Sequence, residues 1–205
     1  MIRVETEHHH KVAHLFQAAA EIHLSVAAVC QGTAPGEMYV DSIEHPTVGY
    51  VRTPEGEYVV GDPTSERSYP GLQSLIPERA YLTLHPTGWE RVLPQIWMNS
   101  VARRHARLHL RWQHPGGLNT RAPLPDGFEV VAIDERLLAR TDLLNHEEIT
   151  GRVRDWFSAD YFLQNGFGFC VIGGNAIVSR CVADCVVGDR CEIGVGTDLR
   201  YRHRG

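Results

Sequence analysis

The chain has 205 residues, of which 43% are hydrophobic and 22% are charged, and its formal net charge is −5. This balance is typical of a soluble globular protein, and it gives no overall attraction to nucleic acid or to an anionic membrane surface. The sequence contains no apolar run of the roughly 20 residues that span a bilayer, and it begins without a signal-peptide pattern. We therefore expect a cytoplasmic protein with no nucleic-acid or membrane partner.

Helical and strand patterns alternate in the first half of the chain. Apolar residues at helical spacing predict one long amphipathic helix over residues 6 to 30, ended by Gly32. Three short runs within residues 39 to 62 predict an antiparallel meander, because turn residues separate them. Further along, the pattern predicts helices at 65–79 and 88–97 and strands at 80–86 and 106–112.

A linker is predicted between two domains. Residues 113 to 126 combine three prolines and two glycines without any periodic apolar pattern. We place the boundary there, between an N-terminal α/β domain of residues 1–125 and a second domain of residues 126–205.

The second domain is predicted to begin with a strand at 128–134. Asp134 is placed to cap a helix over 135–144, and a second helix follows over 146–157. Three consecutive antiparallel strands come next, at 168–172, 176–187 and 190–196, with a two-residue turn at Gly188 and Asp189 between the last two.

This two-residue turn predicts which side chains share a face of the last hairpin, because it sets Cys185 opposite Glu192. One face is then expected to be a core face, with Val178, Val182, Val186, Ile193 and Val195. The other face is expected to be approached closely by another molecule, and it carries Cys181, Ala183, Cys185, Glu192, Gly194 and Gly196.

No metal site is expected. Cys181 and Cys185 lie about 13 Å apart on an extended strand, and Cys191 is predicted to face the other way. The histidines at positions 8, 9, 10 and 14 supply at most two ligands at helical spacing, whereas a structural zinc site needs four. We expect reduced cysteines that behave as small buried hydrophobic residues.

The C-terminal residues 197–205, TDLRYRHRG, follow an apolar strand. A turn leading into RHRG could present backbone N–H groups to an anion, with basic side chains around them, and Gly205 would let a phosphate approach the main chain. The alternative is a basic, solvated tail.

Several motifs in residues 126–205 occur in the order seen in one known family. They are GFGF at 166–169, IVS at 177–179, Glu192-Ile193, Thr197-Asp198 and YRHRG at 201–205. This region resembles the middle of a GNAT-superfamily acetyltransferase, and more narrowly the bacterial branch that includes zwittermicin-resistance acetyltransferases. The resemblance implies an α/β (α+β) fold with a mixed, mostly antiparallel sheet and flanking helices.

The resemblance also implies an acetyl-CoA-dependent N-acetyltransferase that acts on a small-molecule amine. The residues it assigns to acetyl-CoA are Val195, Gly196, Thr197, Arg202, His203, Arg204 and Gly205. It implies Glu192 as the general base, although a strand glutamate can equally be the structural partner of an arginine such as Arg180. Residues 126–205 match only the first half of the family's catalytic domain, so a shortened and inactive chain is one expectation. A binding module with a degenerate cofactor groove is the alternative function.

Overall fold

The computed structural model describes residues 1–77, 79–98, 100–106, 108, 110 and 124–202. The chain forms two compact units: Met1–Arg104 with Asp184–Glu192, and His105–Ala183 with Ile193–Gly205. Most of the predicted linker and most of the predicted strand at 106–112 lie outside the described residues. The boundary placed in that linker therefore stays a prediction.

The first unit contains a five-stranded sheet in chain order. Its strands are β1 (Ile2–Val4), β2 (Glu37–Val40), β3 (Val48–Thr53), β4 (Gly56–Gly61) and β5 (Leu82–His85). The first four are antiparallel to their neighbours, and β5 pairs parallel to β4. The predicted meander and the predicted strand at 80–86 are confirmed, and β1 is an addition that the sequence pattern did not indicate.

The prediction of one long helix was wrong, because the segment forms two helices. They are α1 (His9–Ile22) and α2 (Leu24–Cys30), separated by His23 in an extended conformation. The His23 ring is buried 4.8 Å from the ring of Tyr58, and Ser25 Oγ lies 3.1 Å from the Tyr58 hydroxyl. These contacts with the sheet favour the break, which sequence periodicity cannot reveal. Gly32, at φ 69°, ends α2 as predicted.

Both faces of the first sheet are covered. On one face, α1 and α2 pack against strand residues such as Met38, Val51 and Val60 in one apolar cluster. Gly49 makes this contact possible, since a Cβ atom there would lie 2.5 Å from Phe16 Cζ. On the other face, α3 (Tyr69–Leu75) and α4 (Leu93–Ile96) contribute to a second cluster around Trp89.

The second unit is built on a four-stranded sheet with the order β6 (Phe128–Ala132), β7 (Gly168–Gly173), β8 (Ala176–Val187) and β9 (Arg190–Thr197). The tip of the β8–β9 hairpin belongs to the first unit, where Cys185 and Val187 join the apolar cluster of α1 and α2. The mixed α/β fold with mainly antiparallel sheets and flanking helices is as the sequence predicted.

Among the described residues, three helices accompany this sheet, namely α5 (Glu135–Leu138), α6 (Glu147–Arg154) and α7 (Ala159–Asn165). Asp134 caps α5 as predicted, because its side chain accepts a 2.8 Å hydrogen bond from Leu137 N, although α5 is shorter than expected. The helix α7 was not predicted, and Ser158 caps it. None of the described helices has the length and apolar character needed to cross a bilayer.

Candidate functional site

The pairing of β8 with β9 differs from the predicted register by one residue near the end of β9. Asp198 N donates a 2.9 Å hydrogen bond to Val178 O, whereas the two-residue turn would set Ser179 opposite Asp198. Between the turn and this bond, β8 uses one residue more than β9, as in a β-bulge. Because strand side chains alternate between faces, a one-residue offset reverses which of them lie together.

The predicted faces of this hairpin are therefore wrong in part, since Val178 and Val182, assigned to the core face, are buried as expected. Ile193 and Val195, assigned to the core, are 51% and 71% exposed, whereas Ala183 and Cys185, assigned to an approachable face, are buried. With the observed offset, Val195 shares a face with Cys181 and Phe169, and Phe169 is also exposed. Gly196 lies on the opposite face, across from Arg180.

The backbone of β9 presents hydrogen-bonding groups away from the sheet. Along a strand of an antiparallel pair, the backbone N–H and C=O of one residue point toward the neighbouring strand, and those of the next residue point away from it. Since Asp198 N donates to β8, the groups of Gly196 also point toward β8, and those of Val195 and Thr197 point outward. β9 is the last strand in the sheet order of the described residues, so these groups form an edge to which an extended ligand arm can hydrogen-bond.

Two side chains fix the end of β9. Ser179 Oγ donates to Gly196 O at 3.1 Å and lies 3.0 Å from Thr197 Oγ1. Arg202 Nε donates to Thr197 O at 3.1 Å, so the guanidinium of Arg202 folds back on the strand. Of the predicted cofactor residues, Val195, Gly196, Thr197 and Arg202 are thus brought together, with the outward groups of Val195 left accessible.

Asp198 holds the turn that follows β9. Its carboxylate accepts hydrogen bonds from Arg200 N at 2.8 Å and from Arg200 Nη2 at 2.7 Å. Asn145 Nδ2 donates to the same carboxylate at 2.8 Å and to Ile177 O at 3.0 Å. These bonds, those from Arg200 first, hold the pKa of Asp198 well below its usual range. The sequence singled out Thr197-Asp198 as a motif, but it did not indicate Asn145.

An ion pair lies on the other face of the hairpin, with its arginine largely buried and its carboxylate half-exposed. Arg180 Nε donates to Glu148 Oε2 at 3.1 Å, and the two side chains are 12% and 56% exposed. The guanidinium lies over Gly196, where an added Cβ would be 3.1 Å from Arg180 Cζ. Sequence reasoning suggested Arg180 as a partner for Glu192. The ion pair in the structure is instead with Glu148, 32 residues earlier in the chain.

Glu192, the predicted general base, is half-buried near the tip of the hairpin. Burial raises the pKa of the neighbouring Cys185 thiol to about 12, and the negative charge of Glu192 adds to this effect. The carboxylate of Glu192 therefore lies close to a thiol that stays neutral.

Three residues that the sequence assigned to the cofactor, His203, Arg204 and Gly205, lie outside the described residues. Their assignment to the cofactor therefore stays a prediction. Within the described part of the chain, no three histidine, cysteine or acidic side chains are grouped to hold a metal ion. A groove of about 670 Å³ lies in the first unit, lined by residues of α1 and α2 such as His10, His14 and Cys30, and it contains none of the predicted site residues.

The sequence of the chain matches the GNAT acetyltransferase family model over residues 13–205. The chain belongs to the GNAT acetyltransferase family. It is similar to the uncharacterized N-acetyltransferase YdfB of Bacillus subtilis (strain 168), with 25% identity over 190 residues, which are 88% of this chain and 70% of YdfB.

A solved structure supports the same fold. The crystal structure of a GCN5-related N-acetyltransferase-like protein from Streptococcus suis 89/1591 is similar to this chain with a TM-score of 0.68 and 19% identity. The match covers 97% of this chain and 78% of the S. suis chain. At this identity the likeness shows the fold alone, and the narrower bacterial branch and a shortened domain stay predictions.

Proposed function

We propose that this GNAT-family chain is an acetyl-CoA-dependent N-acetyltransferase that acetylates a small-molecule amine. The family membership of residues 13–205 carries this proposal. The outward N–H and C=O of Val195 support the position of the cofactor, because an amide-containing arm laid along an edge strand can pair with them. Arg202 and the basic residues after it are proposed to hold the phosphates of the cofactor.

Acetyl-CoA supplies a thioester whose carbonyl carbon forms a bond to the acceptor nitrogen while the carbon–sulfur bond breaks. We assign to Glu192 the removal of one proton from the acceptor nitrogen, directly or through water. The leaving sulfur takes the electron pair of the broken bond and then a proton from solvent. Val195, Gly196 and Thr197 position the reacting group, and orientation of this kind supplies much of the rate acceleration in bimolecular reactions.

Calorimetric titration of the chain with acetyl-CoA tests the proposal. The variant V195P removes an N–H that points away from β8, so proline there breaks no bond of the β8–β9 ladder. We expect V195P to weaken acetyl-CoA binding at least tenfold. The matched control I193P removes an equally outward N–H two residues earlier, and we expect it to bind within about threefold of the unaltered chain. The cofactor assignment is contradicted if the unaltered chain does not bind acetyl-CoA, or if V195P binds acetyl-CoA as tightly as the unaltered chain does.

Acetyl transfer to a panel of amines tests the role of Glu192. We expect E192Q to lower kcat about 10²- to 10³-fold, since general-base catalysis contributes this order of rate, with acetyl-CoA affinity unchanged. Acetyl-CoA binding without transfer to any amine would favour the alternative function, a binding module that keeps the cofactor groove. The cytoplasmic location also stays part of this proposal.

A further inference from the structure

The guanidinium of Arg180 is a largely buried cation with few hydrogen-bond partners. Its side chain is 12% exposed, and Nε donates to Glu148 Oε2. Nη1 is buried and has no hydrogen-bond partner among the described residues. A guanidinium carries five N–H donors, and each buried donor that stays unpaired destabilises the folded chain. Arg180 therefore keeps N–H donors whose hydrogen-bonding capacity an oxyanion would satisfy.

The only ion pair of Arg180 in the described part of the chain compensates its charge incompletely. The Glu148 side chain is 56% exposed, so solvent screens its attraction for Arg180. On the other side, Arg180 is opposite Cys170 of β7, which is buried and whose thiol pKa is raised to about 11 by burial. Arg180 thus lies between a half-solvated carboxylate and a neutral thiol, and it keeps donors for a further anion.

The position of Arg180 relates it to the proposed chemistry. Its Cζ, Nε and Nη2 atoms are 3.1–3.2 Å from where a Cβ atom of residue 196 would be. Gly196 is one of the three residues proposed to position the reacting group. An anion bound by Arg180 would therefore lie beside the reacting end of the cofactor rather than beside the basic residues after Tyr201, which are proposed to hold its phosphates.

We propose, on the basis of the acetyltransferase function proposed above, that Arg180 binds the carboxylate of the acceptor. The acceptor is then an amino acid or another small amine that carries a carboxylate. The planar fork of arginine matches a carboxylate with two parallel hydrogen bonds. Such a contact fixes the distance between the carboxylate and the amine that attacks, and it selects against amines without an acidic group.

Binding measurements test this substrate class directly. The twenty L-amino acids and β-alanine, each paired with its own amide, are titrated into the chain in the presence and absence of CoA. The Nε–H signal of Arg180 is followed by NMR together with the calorimetric heat. We expect at least one acid to bind ten times more tightly than its amide and to shift the Arg180 signal. If no acid shifts this signal and no acid binds more tightly than its amide, the proposal is wrong.

Variants separate this role from a structural one. We expect R180Q to reduce the acid-to-amide ratio to about one and R180K to keep part of it, while R136Q, at an exposed position of α5, leaves it unchanged. E148Q removes a competing carboxylate, so we expect the ratio to stay or rise. If Arg180 only partners Glu148, R180Q and E148Q will lower the melting temperature alike and leave the ratio intact, which would overturn the proposal.

The failure of this inference differs from the failure of the proposed function. If R180Q weakens CoA binding tenfold while the acid-to-amide ratio is unchanged, the anion is a phosphate of the cofactor and the acceptor assignment is wrong. If the chain acetylates amides as readily as acids, only the substrate class is wrong. If the chain neither binds acetyl-CoA nor acetylates any amine, the acetyltransferase function itself is contradicted.

Discussion

The two sheets of this protein differ in how their faces are covered. In the first unit, helices lie on both faces, and residues such as Phe16, Val51 and Trp89 are fully buried. In the second unit, the face that carries Arg180 contacts α6, whereas the opposite face exposes Val130, Phe169 and Val195. The first sheet is thus a scaffold, because its side chains are buried against helices on both faces. The second sheet keeps apolar surface and backbone groups accessible, as a binding surface requires.

Truncating one side chain in each unit should give the largest contrast. F16A removes a fully buried ring from the first unit, and we expect it to lower the free energy of unfolding by about 3–5 kcal/mol. V195A removes two methyl groups that are largely exposed in the second unit, and we expect a change within about 0.5 kcal/mol. Urea unfolding followed by tryptophan fluorescence and circular dichroism measures both. Equal losses in the two variants would mean that the face of Val195 is covered.

Asn145 should have the next largest effect, because it joins three parts of the second unit. It adopts φ 62°, and its side chain bonds Ile177 O and Asp198. We expect N145A to cost about 2–3 kcal/mol through two lost hydrogen bonds and an unfavourable φ. N145G keeps the backbone conformation and should cost about 1 kcal/mol less. Equal losses would show that φ contributes nothing, and faster amide exchange at Ile177 would locate the damage.

Local sequence patterns predicted most strands of this fold, because alternation, turns and caps depend on residues that are neighbours in the chain. The alternation in β3 and β4, the turn at Gly188 and Asp189 and the cap at Asp134 are all of this kind. The break at His23 was missed because its cause lies on β4, where Tyr58 receives the His23 ring. The side chains of β9 were grouped with the wrong side chains of β8 because one extra residue in β8 leaves no sign in the apolar pattern.

The sequence predicted site residues that are adjacent in the chain, but it did not predict the contacts between distant positions that hold them. Family motifs identified Val195, Gly196 and Thr197 from residues that are adjacent in sequence. The contacts that shape these residues join distant positions, namely Asn145 with Asp198 and Glu148 with Arg180. No spacing rule connects residues 53 or 32 positions apart, and only the pairing of strands brings them together. Asparagine at position 145 was one available hint, because it tolerates positive φ better than most residues do.

The pH dependence of the second unit should report on Asp198. Hydrogen bonds from Arg200 and Asn145 lower the pKa of this carboxyl in the folded state. Its stabilising contribution is therefore complete above its unfolded pKa of about 4 and is lost as the pH falls through the lower folded value. We expect carboxyl NMR signals to show Asp198 still ionised at pH 3, and D198N to flatten the loss of stability between about pH 4 and pH 2. An ordinary titration of Asp198 near pH 4 would contradict these hydrogen bonds.

Thiol modification compares the two faces of the second sheet. It has the smallest expected effect on stability, because it does not alter the fold. Cys181 is half-buried on the face of Val195, and Cys191 is exposed, whereas Cys170 lies buried on the face of Arg180. Burial also raises the pKa of the Cys170 thiol to about 11 and that of Cys185 to about 12, which lowers their reactive thiolate at neutral pH. We expect iodoacetamide at pH 8 to modify Cys191 and Cys181 before Cys170 and Cys185, as measured by peptide mass spectrometry. Modification of Cys170 at the rate of Cys181 would mean that the face carrying Arg180 opens to solvent as readily as the face carrying Val195.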